Sequence, residues 1–390
     1  MAESRDDRLR IIGDIEKARD SKVLVYFCGD RPGIVANIAT DAIRPLYEHL
    51  LGFASPGNKV KTIDFYIYSL GGRLEVPWRI ATMLREFCEG LNVIVPYKAY
   101  SAATLIALSA DKIVMGRKGE LSPIDPSLHL IIPEEERPKI ALPPEIGVED
   151  ISAYITFVKE RVGLTDQMAL AKSIEILAEK LTPPVLGQIQ RSHSHIRLVS
   201  RKLLSLCKPP LEERRIGTIV EALTEKMYLH GHGIGRTEAN EIGLQVQETN
   251  AQEEDLFWNL YLSYESFLKL DSSTDLESYF SEKQDEYEEP EASIACIESV
   301  QNLHLCKGEL KMKRIRKIPP QPTINVNLGL QLPPGIQPAA IPPQVQQTIQ
   351  QLLQQGAQAI KDQVIAEIGR QSPVAGIQTR LRGAKWVKIV

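Results

Sequence analysis

Two short stretches place residues of suitable type for acyl-transfer chemistry. One is the diglycine Gly71-Gly72 closing "KTIDFYIYSLGG" (61–72), and the other is Ser101 in "YKAYSAATLIALSAD" (97–111). Each ends an extended run and opens a helical one. Glycine has no Cβ, so its amide can turn toward the open edge of a sheet. The first amides of a helix are unpaired, and the helix dipole favours negative charge there. The amides of Gly72 and Ala102 could therefore meet as an oxyanion hole, with Ser101 Oγ between them as the nucleophile. One such donor contributes about 3–4 kcal/mol to a tetrahedral transition state. A plainer reading exists. Strand, Gly-Gly, helix is common α/β punctuation, and serine is a favoured helix N-cap.

The surrounding elements must bring these two turns together. "KVLVYFCG" (22–29), "KTIDFYIYSLGG", "LNVIVPY" (91–97) and "KIVMG" (112–116) read as buried strands. Between them lie helical patterns at 41–53, 74–88 and 101–110, with Pro77 in a first turn, where proline is tolerated. A charged helix is expected at 5–20. This alternation predicts an α/β unit with a mostly parallel sheet. "HLIIPEEERPKIALPPEIG" (129–147) reads as an irregular insertion, followed by helical patterns over 148–206 and 214–229. "GRTEANEIGLQV" (235–246) reads as a short helix and a strand.

Composition excludes several classes. The 390 residues carry a net charge of −4, which argues against a general nucleic-acid binder. No apolar run reaches the roughly 18–20 residues of a membrane helix, and "MAESRDDRLR" lacks a signal-peptide core. The five cysteines (28, 88, 207, 296, 306) form neither a metal-ligand spacing nor a disulfide framework, which points to a reduced, cytoplasmic setting. The histidines of "RSHSHIR" (191–197) read as surface residues, and the basic run "KMKRIRK" (311–317) as a solvated strand edge.

The order of the pieces adds to this. "YSLGGRLEVPWRIA", "VPYKAYSAATLIALSADKIVMGRKGELSPIDPSL" and "LTEKMYLHGHGIGRTEANEIGLQV" resemble the Clp protease proteolytic subunit and the signal peptide peptidase A family. They resemble more closely the ClpP-class serine dehydrogenase proteinases. The resemblance covers about residues 20–250. It implies a crotonase-like ClpP fold of repeated ββα units and a serine peptidase acting on polypeptides without metal or organic cofactor. Ser101 would be the nucleophile, and Gly72 and Ala102 the oxyanion donors. Where the Clp subunit carries its histidine this chain has Asp125, and where it carries its aspartate this chain has "LHGHGIGR". The implied base is His230, oriented by Asp125, with the two roles exchanged in position; a triad is defined by geometry rather than chain order. His232 fits the histidine position less well. Lys159, broadly where related peptidases carry a Ser–Lys dyad, is the alternative base and would have to be desolvated.

Two other functions stay open. One is a catalytically inactive ClpP-like scaffold, favoured by Gly231 where the closer family tends to carry an acid. The other is a crotonase-type acyl-CoA enzyme using the same oxyanion amides, although no adenine-binding signature is found. The resemblance further implies a homo-oligomer. Closer family members often carry an N-terminal membrane helix, and none is visible here. Composition divides the chain into an N-terminal helix (1–21), a protease-like domain (22–250), an acidic and β-containing extension (251–318), a Pro/Gln-rich linker (319–346) and a C-terminal helix and strand (347–390). Residues 251–390 are a candidate partner-docking region.

Overall fold

The structure is a computed structural model. It describes residues 4–54, 57–124, 127–129, 145–226, 231–281, 284–317, 324–329, 331 and 341–389. The chain forms two compact units, one of 1–272, 292–308 and 383–390 and one of 273–291 and 309–382.

The first unit opens with α1 (Arg5–Arg19), started by a capping box in which Ser4 and Asp7 exchange bonds. Then follow β1 (Lys22–Cys28), α2 (Ile43–Phe53), β2 (Val60–Tyr68), α3 (Val76–Phe87), β3 (Cys88–Val95), β4 (Lys98–Ala99), α4 (Ala102–Ala107), β5 (Lys112–Met115) and β6 (Glu120–Leu121). A small hairpin, β7 (Ser127–His129) and β8 (Glu145–Gly147), precedes α5 (Val148–Thr156), α6 (Gln167–Lys180), α7 (Pro183–Leu204) and α8 (Glu213–Glu221). Then come β9 (Ile234–Gly235), α9 (Arg236–Ile242), β10 (Val246–Glu248) and α10 (Ala251–Phe267). The remaining elements are β11 (Glu286–Glu298), β12 (Leu303–Arg316), α11 (Pro343–Gln371) and β13 (Val374–Ile389).

The large sheet has the order β10-β5-β3-β2-β1-β11-β12-β13. From β10 to β1 every pair is parallel, with Val246 opposite Ile113, Val93 opposite Ile113, Phe65 opposite Val93 and Val25 opposite Tyr66. β11 joins β1 antiparallel, with Val25 opposite Glu298. The fold is thus α/β with a mostly parallel sheet, as the alternation of strand and helix patterns predicts. Parallel strands need cover on both faces, and successive residues here alternate between two cores. Leu24, Tyr26, Phe65 and Val93 face a core shared with α2, α3, α4 and α7. Val23, Val25, Phe27, Tyr66 and Ile94 face a second core filled by Ile12 and Ile15 of α1 and by Phe257, Leu260 and Tyr264 of α10.

In the second unit the basic run 311–317 is not a solvated edge. β12 lies between β11 and β13, and its cations meet an acidic run across the strands. Lys311 pairs with Glu288 at 2.9 Å, Lys313 with Glu286 at 2.8 Å and Arg316 with Asp285 at 2.7 Å. The compact units also do not follow the composition breaks. α10 and residues 292–308 belong to the first unit because their apolar residues fill its cores. Most of the expected insertion 129–147 and much of the expected linker lie outside the described residues.

Candidate active site

The chain leaving β2 and the chain leaving β3 run side by side. Ser69 N donates to Lys98 O at 3.0 Å, and Tyr100 N donates to Ser69 O at 2.9 Å, which makes a parallel bridge between Ser69 and Ala99. Two residues further on, the diglycine and the serine turn touch. A Cβ on Gly71 would stand 2.8 Å from Ser101 Cβ and 3.3 Å from Ser101 Oγ. A Cβ on Gly72 would stand 2.3 Å from Ile38 O. Gly71 has φ 122° and Gly72 φ 154°. Neither position can carry a side chain, on steric and on backbone grounds.

Ser101 holds φ 51° and ψ −111°, outside the regions open to ordinary residues. Such a conformation costs about 1–3 kcal/mol and persists only where its surroundings impose it. The serine is not an N-cap in the usual sense, since its side chain accepts no capping bond and its backbone is not extended. Among the described residues its Oγ has no hydrogen-bond partner.

What imposes the turn can be traced. Ser101 N donates to Ser122 Oγ at 2.8 Å, and that hydroxyl donates to Pro123 O at 2.8 Å. Thr104 Oγ1 donates to Ala99 O at 2.7 Å and accepts from Ser122 N at 3.1 Å. Ser122 and Thr104 are both fully buried. Neighbouring amides are also committed: Ala103 N to Tyr100 O, Gly71 N to Ser69 Oγ and Arg73 N to Ile38 O. Two remain. The amides of Gly72 and Ala102 have no acceptor among the described residues.

A third loop is led to the same place. β4, β6 and β9 form a small sheet, with Ala99 opposite Leu121 and Leu121 opposite Ile234. Ile124 N donates to Leu223 O at 2.9 Å. Asp125 follows Ile124 directly, and His230 lies between Leu223 and β9. Asp125 and His230 both lie outside the described residues. His232 is half-exposed and bonds through Nε2 to the Glu238 carboxylate at 3.0 Å. Tyr100 OH donates to Glu120 Oε2 at 2.5 Å, and a Cβ on Gly233 would come 3.1 Å from that oxygen. Burial, and then the neighbouring Glu120, hold the Tyr100 phenol well above its usual range. Lys159 is exposed, on a π turn (Phe157–Arg161) that buries only Val158.

The structure thus brings Gly71, Gly72, Ser101 and Ala102 together and leaves Lys159 in solvent. Sequence reading missed Ser122, Thr104, Ile38 and the Tyr100–Glu120 pair. Ser122 and Thr104 flank the motif as ordinary small polar residues, and only the fold shows that they share one hydrogen-bond network.

Adjacent strand ends of the parallel sheet thus deliver a diglycine and a strained serine to one junction. Residues 3–134 match the family described as ClpP-like SDH-type serine proteinase. Two uncharacterized proteins of Methanocaldococcus jannaschii are similar in sequence. MJ0137 is 28% identical over 63% of this chain and 75% of its own length, and MJ1495 is 22% identical over 61% and 71%. Among solved structures, ClpP1 from Listeria monocytogenes is similar at 14% identity, covering 61% of this chain and 98% of its own, with a TM-score of 0.33. A membrane-bound stomatin-specific protease is similar at 16% identity, covering 60% and 83%, with a TM-score of 0.35. Among the described residues no helix is long and apolar enough to cross a membrane.

Proposed function

We propose that the chain is a serine peptidase that hydrolyses peptide bonds through Ser101. The observation that carries this reading is the state of Ser101: a non-glycine residue held at φ 51°, packed against Gly71, with a hydroxyl that has no hydrogen-bond partner among the described residues. In the proposed cycle a base takes the Ser101 proton as Oγ attacks the substrate carbonyl. The carbonyl oxygen becomes an oxyanion that accepts from Gly72 N–H and Ala102 N–H. The base returns the proton to the leaving amine, and water then hydrolyses the acyl-enzyme. Both donors are fixed backbone amides, so little reorganisation accompanies the charge that develops.

The assigned base is His230, with Asp125 orienting it. That reading rests on the resemblance of the stretches around Asp125 and His230 to the ClpP-class family. Lys159 fits less well, because a lysine base needs desolvation and this side chain is exposed. A polypeptide substrate and a homo-oligomeric assembly belong to the same proposal.

The test is hydrolysis of an unstructured fluorogenic protein by the full chain and by single variants. Ser101→Ala should abolish it. His230→Ala should lower the rate by at least about 100-fold, the lower end for loss of a general base, while Lys159→Ala should leave it within a few-fold. A folded wild-type chain without hydrolysis would favour the inactive scaffold. Activity that survives Ser101→Ala would overturn the assignment.

A further inference from the structure

The large sheet ends in a strand whose charges are not matched. β13 is last in the strand order, so one of its edges has no neighbouring strand. It runs over 16 residues and carries the cations Arg380, Arg382, Lys385 and Lys388 and no acid. Within the second unit its side chains alternate. Ile377, Thr379 and Leu381 are half-buried, and Gln378, Arg380 and Arg382 are exposed. Successive residues of a strand point to opposite faces, so the two arginines share one face. It is the face on which β11 meets β12, because Arg380 and Arg382 line a depression of about 200 Å³ together with Glu286, Glu288, Lys311 and Lys313. The acids there are already used. Lys311 pairs with Glu288 and Glu309, and Lys313 pairs with Glu286. Neither arginine has an ion-pair partner among the described residues.

An edge strand presents unpaired N–H and C=O groups that another extended chain can take up. Cations on an edge guard it against apolar strands and against its own kind. Toward an acidic strand they act the other way. Opposite charges that face each other across two strands contribute about 0.2–1 kcal/mol, and like charges are destabilising. A second copy of β13 would bring four more cations to the same edge, whereas an acidic strand would neutralise both arginines. The sheet already holds that arrangement once, where the acids of β11 face the lysines of β12.

We propose that the free edge of β13 over 374–382 binds an extended acidic peptide segment by strand addition. The peptide backbone continues the sheet, its alternate carboxylates meet Arg380 and Arg382, and the residues between them lie on the face of Ile377 and Leu381. The inference stands apart from the assignment of Ser101.

Fluorescence anisotropy of the full chain tests it, with a labelled, end-capped peptide that alternates Glu and Val over about eight residues, within the usual length of a strand. The peptide should bind saturably with a Kd below about 200 μM at about 50 mM salt and weaken at least about fivefold at about 500 mM. Alternating Lys and Val should bind at least about tenfold more weakly, and so should alternating Glu and Pro, which keeps the charges but holds the chain as polyproline II. The exposed pair Arg380→Gln/Arg382→Gln should weaken the Glu-Val peptide at least about fivefold with the melting temperature kept, whereas Ser101→Ala should leave its Kd unchanged. No saturable binding by about 1 mM, a Kd within about twofold of wild type in the double arginine variant, or a Kd altered by Ser101→Ala would overturn the site. Equal affinity for the Glu-Pro peptide would overturn strand addition. A single-stranded oligothymidylate of equal charge that binds as tightly would overturn the choice of a peptide.

Discussion

At the residue scale, the junction depends on two atoms and one bond that are absent: the Cβ atoms of the two glycines and a capping bond from Ser101. Gly71→Ala pushes a methyl to 2.8 Å from Ser101 Cβ at φ 122°, so it displaces Ser101. Gly72→Ala drives the same group into the Ile38 backbone and moves the Gly72 amide. Each substitution should lower peptide hydrolysis by about 100- to 1,000-fold, the range for losing one oxyanion donor. Circular dichroism should show the fold retained, and a variant that keeps its rate would count against the oxyanion role. Much of this junction was legible from residue types, because a diglycine and a serine at two strand-to-helix turns are visible as letters. That Ser101 does not cap the helix was not, because it rests on a backbone angle and a missing side-chain bond. Nor were Ser122 and Thr104, whose side chains matter through partners distant in sequence.

Among the elements, the turns are held by buried side chains that satisfy backbone groups. Ser122 Oγ accepts the Ser101 amide inside the core. Ser122→Ala leaves that amide without an acceptor and should cost about 1–3 kcal/mol in urea denaturation. If the network also holds the Ser101 conformation, hydrolysis should fall by more than the loss of folded protein explains. Asp111 is the second such anchor. Its carboxylate accepts from Arg85 Nη1 and Nη2 at 2.9 and 2.6 Å, from Leu91 N at 2.9 Å and from Lys208 N at 2.6 Å, tying α3, β3, β5 and the end of the α7 segment together. Asp111→Ala strands a largely buried arginine and should destabilise by about 3–5 kcal/mol. A loss under about 1 kcal/mol would mean that the site relaxes and water replaces the carboxylate. The parallel strands were readable as apolar runs. α10 was not, because its acidic residues hide the spacing of Phe257, Leu260, Tyr261 and Tyr264, which only the second core reveals. The basic run of β12 was misread because its acidic partners lie more than twenty residues earlier, on the neighbouring strand and the turn before it.

For the molecule as a whole, packing on both faces of the sheet leaves a few ionisable groups inside. Burial first, and then the nearby His304 and Lys388, push His49 down to about 3. Burial also lowers His304, against the pull of Glu48. Below the ordinary histidine value of 6.5 the unfolded chain takes up protons that the folded chain refuses. Stability should therefore be full above that pH and fall as the pH drops toward 3, by up to about 1.4 kcal/mol per pH unit for each such histidine. Urea midpoints at stepped pH check this, and His49→Gln should flatten the slope between about pH 6 and pH 4. An unchanged slope would remove His49 from the account. None of this was legible in sequence, where His49 and His304 are separated by most of the chain.

The central claim is that Ser101 is a nucleophile activated at a junction of two turns. The most direct measurement is labelling of the full chain with a fluorophosphonate probe, with the modified peptide mapped by mass spectrometry. A single adduct on Ser101, absent from Ser101→Ala and suppressed in Gly72→Ala, is the result expected. Adducts that persist in Ser101→Ala, or a folded wild-type chain that takes up no probe, would contradict it.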